Sequence, residues 1–160
     1  MKRNIARTGF VVIFAAAWIV SMAASAQAAG PCSLELAAGT YGLTDTGTVV
    51  GVGPRAAVGI WTQDEAGNVN GKATSSLNGT IFHEKFSGTA TVNPDCTGTF
   101  AGKIFDLSGN VLFTVTVDLA WDDNMREFRF IFTSAKLPNG APLLIVINGD
   151  ARKLVAENVQ

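Results

Sequence analysis

The sequence predicts an all-β domain: an antiparallel up-and-down meander of about eight strands, closed into a small barrel. Three observations lead to this prediction. Apolar and polar residues alternate with period two over most of the chain. The pattern Asp-x-x-Gly-Asn-Val occurs at 64–69 and again at 106–111, and it is typical of tight turns because Gly and Asn tolerate positive φ. The gaps between strand-like runs are too short for the crossovers that parallel strands require.

The strands follow from these signals in chain order. We expect them at 40–50, 57–63, 69–76, 80–92, 97–106, 111–121, 125–134 and 143–149. Gly88 is a candidate kink within the long fourth strand. Gly51 to Arg55 is interpreted as a flexible connection between the first two strands, and no helix is needed in the domain.

Each predicted strand has one apolar face. Phe128, Phe130 and Phe132, for example, alternate with charged and polar neighbours. Closure into a barrel would remove the open edges of such a sheet, and inward glycines such as Gly88 and Gly102 would help it coil. Gly59 is a third inward glycine. A two-sheet β-sandwich is the alternative fold.

One segment, 143–147, departs from the alternation because it is apolar on both faces. A strand of this kind is either covered on both sides or part of an association surface. The second interpretation would make the protein a homo-oligomer.

The N-terminal residues have the organisation of a secretory signal peptide. Basic residues come first, an uncharged apolar run covers 10–24, and small residues at 25–28 form an Ala-x-Ala site. The run is shorter than the ~20 residues of a spanning helix. We therefore expect residues 1–28 to be removed after Ala28, leaving one domain over 29–160. The protein would be secreted or periplasmic, with no membrane contact after cleavage.

The chain contains two cysteines, Cys32 and Cys96. In an oxidising compartment such a pair is most simply a disulfide. It would tie the start of the mature domain to the turn at 93–95 and contribute roughly 4 kcal/mol by the chain-entropy model. The alternative is a reactive thiol, but neither cysteine lies in a Cys-x-x-Cys motif or beside a basic residue.

Composition and motifs argue against several function classes. The formal net charge is −1 and basic residues do not cluster, so nucleic acid is not an expected partner. The chain has no Walker loop, no dinucleotide-binding loop followed by a helix and no Gly-x-Ser-x-Gly motif, so we expect no cofactor. A single histidine, His83, cannot anchor a His-rich zinc site, and no metal is expected.

Catalysis is therefore the less favoured interpretation, and no catalytic residue is assigned. Weak candidates for an isomerase-like or cyclase-like barrel enzyme are His83, Glu84 and Arg55. In a strand, His83 and Glu84 would point to opposite faces, which makes them poorly placed to act as a dyad.

The aromatic residues on inward faces suggest either a solid core or a binding cavity. A small barrel fills its interior with side chains or leaves room for one small ligand, and sequence leaves both open. The candidate lining is Trp61, Phe86, Phe100, Phe113, Trp121, Phe128 and Phe130, with Arg55 guarding the mouth. The leading hypothesis is an exported, non-enzymatic barrel that binds a small apolar molecule. A structural or self-associating envelope protein is the alternative.

Two segments carry a resemblance to known proteins. Gly-Thr-Tyr-Gly at 39–42 and Val-Asn-Pro-Asp-Cys-Thr-Gly-Thr at 92–99 resemble segments of small secreted bacterial proteins of unknown function. The resemblance spans 39–99 and implies export and an all-β domain, and it carries no catalytic residue. Calycin barrels such as lipocalins and avidins, and the allene oxide cyclases, are similar in inferred architecture only.

Overall fold

The computed structural model describes residues 32–122 and 124–154, and it contains a strand at every predicted position. In chain order the strands are β1 (Gly39–Val49), β2 (Gly53–Gln63), β3 (Asn68–Leu77), β4 (Thr80–Val92), β5 (Thr97–Phe105), β6 (Val111–Trp121), β7 (Glu127–Lys136) and β8 (Ile145–Lys153). Each strand pairs antiparallel with the next, and β8 pairs with β1. The predicted closed barrel is thus confirmed, and the sandwich alternative is wrong.

Two local predictions are wrong. β2 begins at Gly53 rather than at residue 57, so Arg55 lies inside a strand and not in a flexible connection. A one-turn helix, α1 (Leu34–Ala37), precedes β1 where no helix was expected. It forms because the hydroxyl of Ser33 accepts a hydrogen bond from the backbone N–H of Leu36, as an N-cap does.

The repeated Asp-x-x-Gly-Asn pattern forms the same turn twice. In the first turn, Asp64 accepts hydrogen bonds from the backbone N–H and the side-chain amide of Asn68, at 2.7 and 2.8 Å. In the second, Asp106 accepts the same two bonds from Asn110, both at 2.8 Å. Gly67 takes a positive φ of 83°. These bonds lower the pKa of both aspartates, so their carboxylates serve the turns.

Inward glycines allow the sheet to curve where two strands approach closely. Gly88 of β4 lies directly opposite Gly102 of β5. A Cβ built on Gly88 would lie 2.5 Å from the Cα of Gly102, closer than real atoms approach. A larger residue here would therefore push the strands apart.

The barrel has a closed end and an open end. We call closed the end that holds α1, the turns 64–67 and 93–96 and the connection from β6 to β7. We call open the end that holds the turns 50–52, 78–79, 106–110 and 137–144. Tyr41, Trp121 and Phe128 pack against each other inside the closed end, with ring centroids 4.4–5.7 Å apart. The Tyr41 hydroxyl donates to the carbonyl oxygen of Ala37 at 2.8 Å, which holds α1 over the core.

The predicted disulfide between Cys32 and Cys96 is present at the closed end. A disulfide is compatible with an oxidising extracellular compartment. Within the described residues, no helix is long and apolar enough to cross a membrane. Residues 1–28 lie outside the described residues, so the signal peptide and its cleavage after Ala28 stay a prediction.

Candidate functional site

A cavity of about 230 Å³ occupies the open end of the barrel. Its walls are almost entirely apolar and include Val49, Phe82, Phe113, Phe132, Leu143 and Ile145. These residues come from strands on all sides because inward positions of β1, β4, β6, β7 and β8 converge there. The exposed side chain of Phe82 belongs to this lining, so the cavity reaches the edge of the barrel.

The polar part of the cavity wall is Arg55 with Glu84. Arg55 donates from Nη1 and Nη2 to the two carboxylate oxygens of Glu84, each at 3.1 Å. Its Nε donates to Oδ1 of Asp45, also at 3.1 Å. The hydroxyl of Ser75 donates to Oε1 of Glu84 at 2.9 Å. We call these four residues the ionic cluster.

The ionic cluster is held by neighbouring strands. Asp45, Arg55, Ser75 and Glu84 lie on β1, β2, β3 and β4, and each points inward by the period-two alternation of its strand. The Arg55 side chain is 12% exposed, and the side chains of Asp45 and Glu84 are 5% and 6% exposed. Strands fix these positions more rigidly than loops would.

Burial shapes the protonation of the cluster. Desolvation raises the pKa of Asp45, and the neighbouring charge of Arg55 only partly offsets that rise. For Arg55, burial alone would lower the pKa, but its hydrogen bonds to Glu84 and Asp45 and their charges raise it overall. The guanidinium therefore stays charged, while Asp45 binds a proton more readily than an exposed aspartate does.

Beneath the ionic cluster lies a second, much smaller space of about 50 Å³. Trp61, Phe86, Phe100 and Phe130 line it together with aliphatic side chains. Below it the aromatic core fills the closed end. The barrel interior is thus packed at the closed end and hollow at the open end, with the ionic cluster between the two.

The residues predicted to line a ligand cavity are divided among three places. Arg55 and Phe113 line the large cavity. The four aromatic residues Trp61, Phe86, Phe100 and Phe130 line the small space, and Trp121 and Phe128 pack in the closed-end core. Arg55 lies at the base of the cavity rather than at its mouth. Ligand contact by these residues stays a prediction.

Sequence reasoning missed Asp45 and Ser75, and it missed the aliphatic part of the lining. The signal for Asp45 was present, because Tyr41, Leu43, Asp45 and Val49 share one face of β1. A charged residue on an otherwise apolar face is informative, since buried charges are normally paired. The partner, Arg55, was hidden because its segment was interpreted as a loop.

The remaining catalytic candidates are separated as expected. Glu84 points into the barrel, while His83 is exposed on the outside and its Nδ1 lies 3.2 Å from the hydroxyl of Thr74. In the segment 143–147, Ile145 and Ile147 face inward. Leu144 and Val146 face outward and are 64% and 67% exposed, so this face is not covered by the described residues.

Comparisons with known proteins support the fold and assign no family. No protein-family model matches the chain. No curated protein matches it either. Among solved structures, "EF1p2_mFAP2b bound to DFHBI" is 14% identical, with a TM-score of 0.52, over 78% of this chain and 98% of that chain. The redesigned β-barrel mFAP1, bound to DFHBI, is 18% identical with a TM-score of 0.48, over 76% of this chain and 98% of that one. At these identities the likeness shows a small β-barrel fold alone.

Proposed function

We propose that this barrel binds one small, mostly apolar molecule in the cavity at its open end. The observation that carries the proposal is an apolar space of about 230 Å³ whose polar wall is a preformed pair, Arg55 and Glu84. Apolar pockets with a few placed polar groups are the usual form of small-molecule sites. An apolar cavity of ~150 Å³ is enough to bind benzene, so this one suits a ligand of roughly ten non-hydrogen atoms.

The ionic cluster selects ligands by the charge of the polar group that faces it. The positive charge of Arg55 is already matched by Glu84 and Asp45, so a ligand carboxylate would meet two acidic groups and one cation. Burying another anion there is costly. Both Nη atoms of Arg55 carry a second N–H, which can donate to an uncharged oxygen. The ligand therefore has a neutral polar end, such as a hydroxyl or a carbonyl group.

Calorimetric titration with a matched pair of compounds tests this function. Cyclohexylmethanol and cyclohexanecarboxylate have similar shapes and differ in charge at neutral pH. We expect the alcohol to bind at least tenfold more tightly, since one unpaired buried charge costs more than ~1.4 kcal/mol. Equal binding of the two compounds would contradict the role of the ionic cluster, and no binding of either would contradict the cavity.

A pair of variants localises the site. Ala135→Phe places a ring inside the cavity, because Ala135 is buried and belongs to the lining. Ala101→Phe makes the same change on the outer, exposed face of β5. The first variant should lose alcohol binding and the second should keep it. Native mass spectrometry of the protein recovered from its host would then identify the natural ligand.

A second candidate function is proton transfer to a bound ligand, as in an isomerase. It is favoured by one observation: Asp45, a buried acid with a raised pKa, lies beside Glu84 beneath the cavity. Incubating the recovered ligand in deuterium oxide should then give deuterium incorporation with the wild type and none with Asp45→Asn. No incorporation with the wild type would exclude proton transfer and leave binding as the function.

A further inference from the structure

The open end of the barrel is surrounded by exposed apolar side chains. Those in the turns around the mouth or within two residues of them are 41–67% exposed: Val50, Val52, Ile81, Phe82, Leu144 and Val146. We call them the apolar rim. Leu107, in the turn after β5, lies instead on the outer wall beside Val58 and His83. Phe82 also lines the cavity, so the rim surrounds the cavity mouth. Large apolar side chains gathered at one end of a protein mark an interaction surface.

Lysines lie close behind the rim on the outer wall. Lys136 is the last residue of β7, and Lys103 lies two residues before the end of β5. Lys85 pairs with Phe105, the last residue of β5. Lys72 lies farther from the rim, in the middle of β3, and pairs directly with Lys85. All four lysines are exposed. Like charges placed directly opposite each other destabilise a sheet, so the pair Lys72 and Lys85 does not serve the fold.

Acidic groups do not balance these lysines at the open end. Asp45 and Glu84 point into the barrel and are bonded to Arg55. Asp106 is engaged by Asn110 in its turn. Four of the six exposed acids of the described residues lie at the closed end instead: Glu35, Asp64, Glu65 and Asp95. The outer surface is therefore positive beside the rim, while at the closed end the exposed acids outnumber the exposed Arg126 and Arg152.

We propose that the open end docks on the surface of a lipid bilayer with anionic headgroups. The rim side chains would enter the interfacial region while the lysines contact the headgroups, which is how apolar and basic groups combine at membrane surfaces. A second copy docked mouth to mouth would bring two sets of lysines together, so the charges favour a negative surface. This differs from the sequence-based expectation of no membrane contact. If the proposed ligand binding holds, docking would bring the cavity mouth to the lipid.

Vesicle co-sedimentation tests the proposal with two kinds of vesicle, phosphatidylcholine alone and phosphatidylcholine mixed with phosphatidylglycerol. The protein is purified after export, and its N-terminus is read by mass spectrometry. The rim variant is Ile81→Ser with Leu144→Ser, and the lysine variant replaces Lys85, Lys103 and Lys136 with Gln. The control is Val58→Ser with Ile131→Ser, which removes equally exposed apolar side chains from the middle of the wall (60% and 50% exposed).

We expect the wild type and the control to bind the anionic vesicles, and salt to weaken that binding. The lysine variant should bind on the order of 100-fold more weakly, since each of its three lysines contributes about a factor of five. The rim variant should also lose binding. The proposal is overturned if the wild type does not bind, if both vesicle types bind equally, or if the rim variant binds like the control. Sedimentation velocity showing a dimer that the rim variant abolishes would assign the rim to self-association instead. Because no cavity ligand is used, these outcomes do not depend on the proposed binding function.

Discussion

Removing the cation from the ionic cluster should strongly destabilise the barrel. Arg55→Met keeps most of the aliphatic length of the side chain but leaves the buried carboxylates of Asp45 and Glu84 without their guanidinium. Breaking a buried ion pair by removing one partner costs about 3–5 kcal/mol, because an uncompensated charge stays buried. A domain of this size has a free energy of unfolding of about 5–15 kcal/mol, so the loss is a large part of the total.

The loss of unfolding free energy in Arg55→Met should depend on pH, and the raised pKa of Asp45 gives the direction. Burial already raises the pKa of Asp45, and without Arg55 nothing offsets that rise. A carboxyl whose pKa is higher in the folded than in the unfolded state contributes stability that is fully present below the unfolded pKa of about 3.9. That stability is lost as pH rises through the folded pKa. The cost of Arg55→Met should therefore be smallest at about pH 4 and should grow as pH rises toward neutral.

Urea unfolding followed by tryptophan fluorescence measures both effects, since Trp61 and Trp121 are buried in the core. Arg129→Met is the matched control, because Arg129 is exposed on the outer face of β7 and its loss should change stability by less than about 0.5 kcal/mol. The reasoning is refuted if Arg55→Met costs less than about 1 kcal/mol at neutral pH. It is equally refuted if the cost is the same in mild acid as at neutral pH.

Three further outcomes are expected from elsewhere in the barrel. Replacing Cys32 and Cys96 with Ala, which opens a sequence separation of 64 residues, should lower the free energy of unfolding by roughly 4 kcal/mol in urea titration. Gln63→Met should raise it by about 1–3 kcal/mol, because the Gln63 amide is buried without a hydrogen-bond partner in the described residues. A decrease would show that bound water satisfies this amide. Asp106→Ala should lower the melting temperature at neutral pH but not at pH below the aspartate range, because a lowered pKa gives stability that is lost as pH falls through it. An equal loss at both pH values would point to backbone strain instead.

The strands and turns were readable from the sequence because their causes are local. Alternation fixes which side chains face inward, and the hydrogen bonds that Asp64 and Asp106 accept close their turns within five residues. The start of β2 was missed because Gly53 and Pro54 are typical of loops. In the barrel, Pro54 stands opposite Thr48 and its carbonyl oxygen accepts from the backbone N–H of Asn78.

The candidate site was less predictable because it depends on contacts between residues that are far apart in the sequence. The ionic cluster joins residues of four strands, and a pairing such as Arg55 with Glu84 depends on the register between β2 and β4 through β3. The cavity depends on how completely side chains fill the open end. Aromatic residues were assigned to the cavity, yet Trp121 and Phe128 fill the closed end, while aliphatic residues such as Leu143 line the open one.

Stability alone does not explain why a barrel of this size contains the ionic cluster. Replacing a buried ionic group with apolar residues of similar volume is often neutral or stabilising by about 1–4 kcal/mol. The triple variant Asp45→Leu, Arg55→Met, Glu84→Met should therefore unfold at the same or higher urea concentration than the wild type. If the cluster selects ligands by their polar end, the same variant should bind cyclohexylmethanol more weakly, since it has lost the donors of Arg55. A triple variant that is strongly destabilised would show instead that the cluster is required by the fold, and unchanged alcohol binding would remove the cluster from ligand selection.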